Sequence, residues 1–211
     1  MSAVKIIDIS VPLTSGLEPW PGDTPFGFDL AARIADGASV NVGALSSSVH
    51  NGTHVDAPFH VTDEGMTSGD LPLEAFIGPA VVVEAEAALE LSGTSLEAAV
   101  GRGSRVLLRW GRNDHDRFPE SVHAIPPAWI DELAALDVPL VGTDQPSVDP
   151  VDSKTLDAHH ACVRNGVQIL ENLVLANVSP GRYELVAIPL RLMEGDASPV
   201  RAVLIDRSST A

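Results

Sequence analysis

RVLLRW, at residues 105–110, precedes PAWIDELAAL at residues 127–136 and PLV at residues 139–141. The first and last segments are short apolar runs, which predict strands. The middle segment begins with proline, as helices often do, and predicts a helix over Pro127–Leu136. Helices interspersed among strands favour a layered α/β domain over a pure sandwich or barrel.

Strands outnumber helices along the rest of the chain. Further strands are predicted at Val4–Ile9, Val40–Val49, Ala80–Ala85, Val167–Leu170, Tyr183–Ile188 and Val200–Ile205, and further helices at Ser95–Val100 and Ser153–Asn165, the latter closed by Gly166. The proline-rich and glycine-rich segment from Pro12 to Pro25 predicts a long irregular loop, a feature that is often functional. With 211 residues, 45% of them hydrophobic, and no internal repeat, we expect one domain over residues 1–211.

Composition narrows the range of partners and locations. The formal net charge of −16 arises from 29 acidic and 13 basic residues, so no basic patch is available for nucleic acid. No apolar run approaches the length of a membrane span, and the first residues do not resemble a signal peptide. The single cysteine, Cys162, excludes an internal disulfide and is expected to be buried. These features predict a cytoplasmic protein that binds neither nucleic acid nor membrane.

Three of the seven histidines lie within eleven residues, in the stretch HNGTHVDAPFH at residues 50–60. On a continuous strand, His50, His54, Asp56 and His60 would share one face, because side chains alternate with a period of two. Imidazole and carboxylate are the ligands that borderline divalent metals such as zinc accept. Surface or core histidines without a metal are the alternative, but burying so many titratable groups unpaired would be costly. The cluster therefore predicts a metal site.

More ligands are needed to complete such a site. Glu171 ends an apolar run, where a carboxylate is costly unless it is paired or bound to metal, so it is the best distant ligand. His159 and His160 are both candidates, and the spacing of residues leaves the choice open. His115 and His123 lie in a charged, proline-flanked segment and are expected to be exposed.

Read as H-x-G-T-H-x-D-x-P-x-H, residues 50–60 resemble the signature of the cyclase-like metal-dependent hydrolase family, and other segments resemble its bacterial kynurenine formamidases. The supporting segments span most of the chain and are DIS at residues 8–10, WPGDTP at 20–25, GTD at 142–144, DSKTL at 152–156, HH at 159–160, ILENL at 169–173 and ASPVRA at 197–202. The family more often has glycine after the glutamate, where this chain has Asn172.

The resemblance implies a strand-rich fold of the swivelling β/β/α type and two divalent metal ions, most often Zn²⁺ with Mn²⁺ as an alternative. It implies that His50, His54 and Asp56 hold one ion, and that Asp56, His159 and Glu171 hold the other. It further implies that His60 is the proton donor and acceptor, that Trp20 lines the pocket of an aromatic formamide substrate, and that the chain is a homodimer. The activity implied is hydrolysis of N-formyl-L-kynurenine to L-kynurenine and formate.

Several other functions are compatible with the same residues. An isatin hydrolase or another cyclic amidase would use the same metal site, and a non-catalytic metal-binding protein would keep the ligands without needing His60. A metal-dependent oxygenase would commonly use two histidines and one carboxylate, which leaves Glu171 and the further histidine unexplained. Ser46, Ser47 and Ser48 do not lie in a G-x-S-x-G elbow, which argues against a serine nucleophile.

Overall fold

The computed structural model describes residues 4–207. The strands are β1 Lys5–Asp8, β2 Gly27–Ala32, β3 Val42–Ser46, β4 His54–Asp56, β5 Ile77–Glu84, β6 Arg105–Arg109, β7 Leu140–Thr143, β8 Gln168–Glu171, β9 Gly181–Val186, β10 Ala197–Pro199 and β11 Val203–Asp206. The α-helices are α1 Ala85–Leu89, α2 Gly93–Val100, α3 Pro127–Ala135 and α4 Asp157–Asn165.

Within the described residues, the main sheet has nine strands in the order β1-β11-β9-β5-β6-β7-β8-β4-β10. The central strands β5, β6, β7 and β8 are parallel, and the helices lie in the connections between them. The outer strands are antiparallel to their neighbours on both sides of this centre. Parallel strands need such crossovers, which explains why helices and strands alternate between residues 77 and 171.

The side chains of the central strands enter two separate hydrophobic cores, one on each face of the sheet. Val106 and Leu108 of β6 pack with the helices, whereas Leu107 enters the opposite core. In β8, Ile169 faces the helices and Leu170 faces away from them. Because side chains of a strand alternate, residues buried on both faces give the continuous apolar runs seen in the sequence.

A β-hairpin formed by β2 and β3 makes a second sheet, which is separate from the main one within the described residues. Its apolar side chains face solvent: Phe28 is 58% exposed, Val42 46% and Leu45 70%. Phe28 and Leu45 are cross-strand partners, so the hairpin presents these two exposed apolar side chains on one face.

The predicted elements correspond to observed ones, with shifts of a few residues at their ends. The largest shift is in α4, which begins at Asp157 and not at Ser153 because Leu156 adopts a left-handed conformation with φ of 46°. The sequence interpretation missed α1, β2 and β10, and it placed Ala85 at the end of a strand, whereas Ala85 begins α1. Among residues 4–207, no helix is long and apolar enough to span a membrane.

Truncation of Leu170 measures how much the core stabilises β8, the strand that carries Glu171. Its side chain is fully buried in the core opposite the helices. We expect Leu170→Ala to lower the free energy of unfolding by about 2–5 kcal/mol in urea titrations, because truncation leaves a cavity. The matched change Leu73→Ala, at a side chain that is 52% exposed, should cost no more than about 0.5 kcal/mol. Equal losses in the two variants would contradict the assignment of Leu170 to the core.

Candidate metal centre

Three carboxylate and histidine side chains enter one site from adjacent strands. His54 of β4 pairs with Glu171 of β8, and Asp56 pairs with Ile169. Since Val55 and Leu170 belong to the core opposite the helices, alternation directs His54, Asp56 and Glu171 toward the helical side. β4 is held between β8 and β10, so both edges of the strand that carries Asp56 are hydrogen-bonded.

His50 and His60 do not lie on this strand, so the continuous strand considered for residues 50–60 is wrong. Strand β4 covers only His54–Asp56, and Gly52 has φ of 68°, in the left-handed region. After the strand, a 3-10 helix runs over Pro58–His60. The turn before β4 and the helical turn after it still bring the two rings together, with centroids 4.3 Å apart.

Asp56 lies at the centre of the cluster and contacts three histidines. Its Oδ1 is 3.1 Å from Nδ1 of His50 and 3.3 Å from Nε2 of His54. Its Oδ2 is 3.4 Å from Nε2 of His159, which comes from the first turn of α4. Glu171 completes the cluster, with Oε2 at 3.4 Å from Nε2 of His54 and Oε1 at 3.8 Å from Nε2 of His159.

The donor atoms form two groups that are each compact enough to hold a divalent ion and that share Asp56. One group is His50, His54 and Asp56, and the other is Asp56, His159 and Glu171. A third and more exposed group, His50, His60 and Asp196, lies beside the first. The structure thus brings together all five residues that the resemblance implied as ligands. His160, the alternative to His159, is exposed.

Several atoms of the cluster are buried without a hydrogen bond, which is the pattern expected of metal ligands. Within residues 4–207, Nε2 of His54 and both carboxylate oxygens of Asp56 have no hydrogen-bond partner. Unsatisfied buried polar atoms are rare and costly in folded proteins. Divalent cations of the zinc class accept imidazole nitrogen and carboxylate oxygen, so the donor set fits such ions.

Each histidine of the two buried groups is also fixed through its other ring nitrogen. Nε2 of His50 lies 2.9 Å from Asp196, and Nδ1 of His54 lies 3.0 Å from the carbonyl oxygen of Gly52. Nδ1 of His159 lies 2.7 Å from Asp149. Outer hydrogen bonds of this kind set the tautomer, so that the nitrogen facing Asp56 is free to accept a metal.

The carboxylates outweigh burial in setting the charge of these histidines when no ion is bound. Burial opposes protonation of His54, but Asp56 and Glu171 raise its pKa to about 10. Asp149 and Asp56 likewise raise the pKa of His159 to about 10 against the effect of burial. Burial acts to raise the pKa of Asp56, but the adjacent rings of His159, His50 and His54 hold it well below its usual value. The buried carboxylates therefore favour positive charge in the site, whether it comes from protonated histidines or from a bound cation.

A cavity of about 260 Å³ opens onto the cluster. His60 lies at its wall, 3.4 Å from Asp196 through Nδ1 and 5.6 Å from His159 between ring centroids. Trp20 lines the cavity and packs edge-on against Phe118, with centroids 4.9 Å apart. A hydrogen bond from the backbone N–H of Phe118 to the carboxylate of Glu18 links the loop of Trp20 to the segment that contains Phe118.

Sequence reasoning missed several residues of the site. Asp196 and Asp149 were not considered, although each is hydrogen-bonded to a histidine of the cluster. His115 was expected to be exposed but is partly buried and lines the cavity, whereas His123 is exposed as expected. Arg112 also lines the cavity. The available signal was the position of Asp196 directly before the segment at residues 197–202, which carried part of the resemblance.

Cys162 is fully buried, as the sequence predicted. It lies in α4, three residues after His159, among the apolar side chains packed on the sheet. Burial raises the pKa of its thiol far above the usual range. A buried thiol of this kind packs as a small hydrophobic residue.

Residues 7–150 match the model of a family named Cyclase and described as "Putative cyclase". A kynurenine formamidase of Salinibacter ruber is 46% identical, over 96% of this chain and 98% of the relative. A solved structure described as "predicted metal-dependent hydrolase from Bacillus stearothermophilus" superposes with a TM-score of 0.79 at 25% identity, over 98% of this chain and 100% of that one. Isatin hydrolase A from Labrenzia aggregata superposes with a TM-score of 0.75 at 25% identity, over 96% and 93% of the two chains.

The neighbouring histidines of α4 offer a matched test of the metal site. We expect His159→Ala to lose roughly half of the Zn²⁺ bound by the wild-type protein after reconstitution and dialysis, since a group left with only two donors binds weakly. The control His160→Ala removes an exposed ring and should keep the wild-type content. Elemental analysis measures both, with circular dichroism to confirm folding. Equal metal content in the two variants would exclude His159 as a ligand.

Proposed function

Because this chain belongs to the Cyclase family, we propose that it hydrolyses the formamide bond of N-formyl-L-kynurenine to give L-kynurenine and formate. The observation that carries the proposal is the arrangement of His60 beside the shared-carboxylate cluster, at the wall of a cavity lined by Trp20 and Phe118. The choice of substrate is supported by the 46% identity to the Salinibacter ruber kynurenine formamidase over nearly the whole of both chains.

We propose that two divalent ions bind at the cluster, with Zn²⁺ preferred and Mn²⁺ as the other candidate. His50, His54 and Asp56 would hold one ion, and Asp56, His159 and Glu171 would hold the other, with Asp56 common to the two groups. When bound, such ions lower the pKa of a water molecule and polarise a carbonyl group. The unsatisfied atoms of His54 and Asp56 support this assignment.

His60 would transfer the protons of the reaction. Amide hydrolysis adds water to the formyl carbon and breaks its bond to the aryl nitrogen, which leaves as an amine only after it has gained a proton. An imidazole ring can both accept and donate a proton, so His60 can take a proton from the attacking water and give it to that nitrogen. Asp196 accepts a hydrogen bond from Nδ1 of His60, which leaves Nε2 as the atom that exchanges protons.

Trp20 and Phe118 would bind the aromatic ring of the substrate. Their edge-on packing gives the cavity an apolar wall, and neighbouring prolines stiffen the loop of Trp20. An aromatic formamide placed against this wall would have its formyl group directed to the cluster, because His50, His54 and His60 line the same cavity. This fits a planar aromatic substrate better than an aliphatic one.

Hydrolysis of a cyclic amide such as isatin is the second candidate function. It is favoured by the superposition of the isatin hydrolase of Labrenzia aggregata, whose identity to this chain is 25%. The higher identity to the kynurenine formamidase favours the linear formamide. A non-catalytic metal-binding protein would require the ligands but gives no reason for a histidine at the position of His60.

We further propose that the chain is a homodimer located in the cytoplasm, over a single domain of residues 1–211. The exposed apolar side chains of Phe28 and Leu45, which are cross-strand partners on the β2–β3 hairpin, support assembly, because exposed apolar patches commonly mark interaction sites. A second copy of the chain would cover this surface with an identical one. The unpaired, buried thiol of Cys162 supports a reducing compartment.

His60→Ala tests the proton-transfer role. We expect kcat for N-formyl-L-kynurenine to fall about 10²- to 10⁴-fold, with unchanged metal content, because the variant removes a general acid and base but none of the proposed ligands. The control His123→Ala removes an exposed histidine and should turn over as the wild type does. Isatin is assayed in parallel. Turnover of isatin alone would replace the formamidase by the cyclic amidase, and full activity of His60→Ala would exclude the role of His60.

Leu45→Glu tests the assembly. We expect light scattering to give the mass of two chains for the wild type and of one chain for the variant, because the charge would be buried in the apolar contact. The control Leu190→Glu changes a side chain that is 57% exposed and lies outside the hairpin, and it should remain dimeric. A Leu45→Glu variant that stays dimeric would place the interface elsewhere.

A further inference from the structure

Arg112 is a partly buried cation in the cavity wall, and its protein partners are neutral. Its Nε–H donates to the carbonyl oxygen of Asp114 at 3.1 Å, and one terminal N–H donates to the carbonyl oxygen of Arg117 at 2.9 Å. The other terminal nitrogen donates to Oδ1 of Asn172 at 2.8 Å. Among residues 4–207, the guanidinium group of Arg112 forms no ion pair within 4.0 Å.

The charge of Arg112 is therefore not neutralised by a direct partner. Burial lowers the pKa of its guanidinium group, and the charges of Asp144 and Asp114 only partly offset this effect. Asp144 accepts the backbone N–H of Arg112 and not its side chain. Partly buried arginines are usually paired, because desolvating a cation is costly. A guanidinium group has five N–H donors, so two remain for a ligand after the three bonds to the protein.

The charge of Arg112 differs from that of the ionisable side chains around it in the cavity wall. Burial and the charge of Arg112 lower the pKa of His115 to about 4, so this neighbouring ring is neutral at pH 7. Two carboxylate side chains, Glu18 and Asp23, line the same cavity. A ligand that carries both a carboxylate and an ammonium group would match this distribution of charge.

Asn172 holds Arg112 next to the metal cluster. It directly follows Glu171, and its backbone is fixed by a hydrogen bond from Thr53 Oγ1 to its carbonyl oxygen and by one from its N–H to Gln145. Its φ of 56° lies in the left-handed region, which glycine and asparagine adopt most readily. Glycine would permit the same backbone but would remove the oxygen that accepts from Arg112.

We propose that Arg112, positioned by Asn172, binds the carboxylate of the amino-acid head group of the substrate while its formyl group lies at the metal cluster. This inference rests on the proposed function and deepens it by assigning the selectivity for an amino acid over a simple aryl formamide. Arg112 suits the role because its planar fork can donate two parallel hydrogen bonds to a carboxylate. Asn172 is a positioning residue that acts through its hydrogen bond with Arg112.

The test compares N-formyl-L-kynurenine with N-formylkynuramine, which lacks only the carboxylate. We expect Arg112→Gln to lower the ratio of the two kcat/KM values roughly 10- to 100-fold, the effect of losing hydrogen bonds to a charged group. Arg112→Lys keeps the charge without the fork and should give an intermediate ratio. Asn172→Gly should lower the ratio through KM, with kcat largely retained, because the backbone is preserved while Arg112 is released.

The outcomes separate this assignment from the function on which it rests. Turnover of neither formamide by the wild-type protein would overturn the proposed function, and this assignment with it. Turnover of both, with equal losses in Arg112→Gln, would overturn the assignment alone and give Arg112 a structural role. Should Arg112→Gln fail to fold, an unchanged ratio in Asn172→Gly together with an unchanged ratio in Arg112→Lys would overturn it.

Discussion

The buried carboxylate of Asp56 is the constraint on which the rest of the site depends. Three imidazole rings converge on its two oxygens, and neither oxygen has a hydrogen bond within residues 4–207. A charge buried in this way is stable only among cations. The interior position of β4, the first turn of α4 and the outer carboxylates all serve to keep positive groups around it. The arrangement of the site thus follows from the need to compensate the buried charge of Asp56.

Much of the fold could be predicted because its central strands and helices have simple local signals. The apolar runs of β5 to β8 arise from burial on both faces, and α3 begins with proline as predicted. The elements that were missed have weaker signals: β10 has three residues and includes Pro199, and β2 has no buried residue. In addition, β10 pairs with β4, which lies far from it along the chain, and local patterns do not report such pairing.

The site was predictable where its residues are close in sequence, and less so where they converge from afar. The cluster of His50, His54 and Asp56 was recognisable from residue types alone, although the single strand assumed for it was wrong. Asp149 and Asp196 lie far along the chain from Asp56, and they act on histidine nitrogens that face away from it. An isolated aspartate in a loop has no pattern that marks such a role, so these contacts required the structure.

Asp149 couples the secondary structure of α4 to the chemistry of the site. One carboxylate oxygen accepts the backbone N–H of Ala158, and the other accepts that of His159 and also contacts its ring. The same side chain thus accepts two backbone N–H groups at the start of α4 that have no partner within the helix, and it also sets the orientation of the imidazole. Fraying of this helical turn and release of the imidazole are consequently one event. Anything that ligates His159 therefore also slows local unfolding and hydrogen exchange at the start of α4.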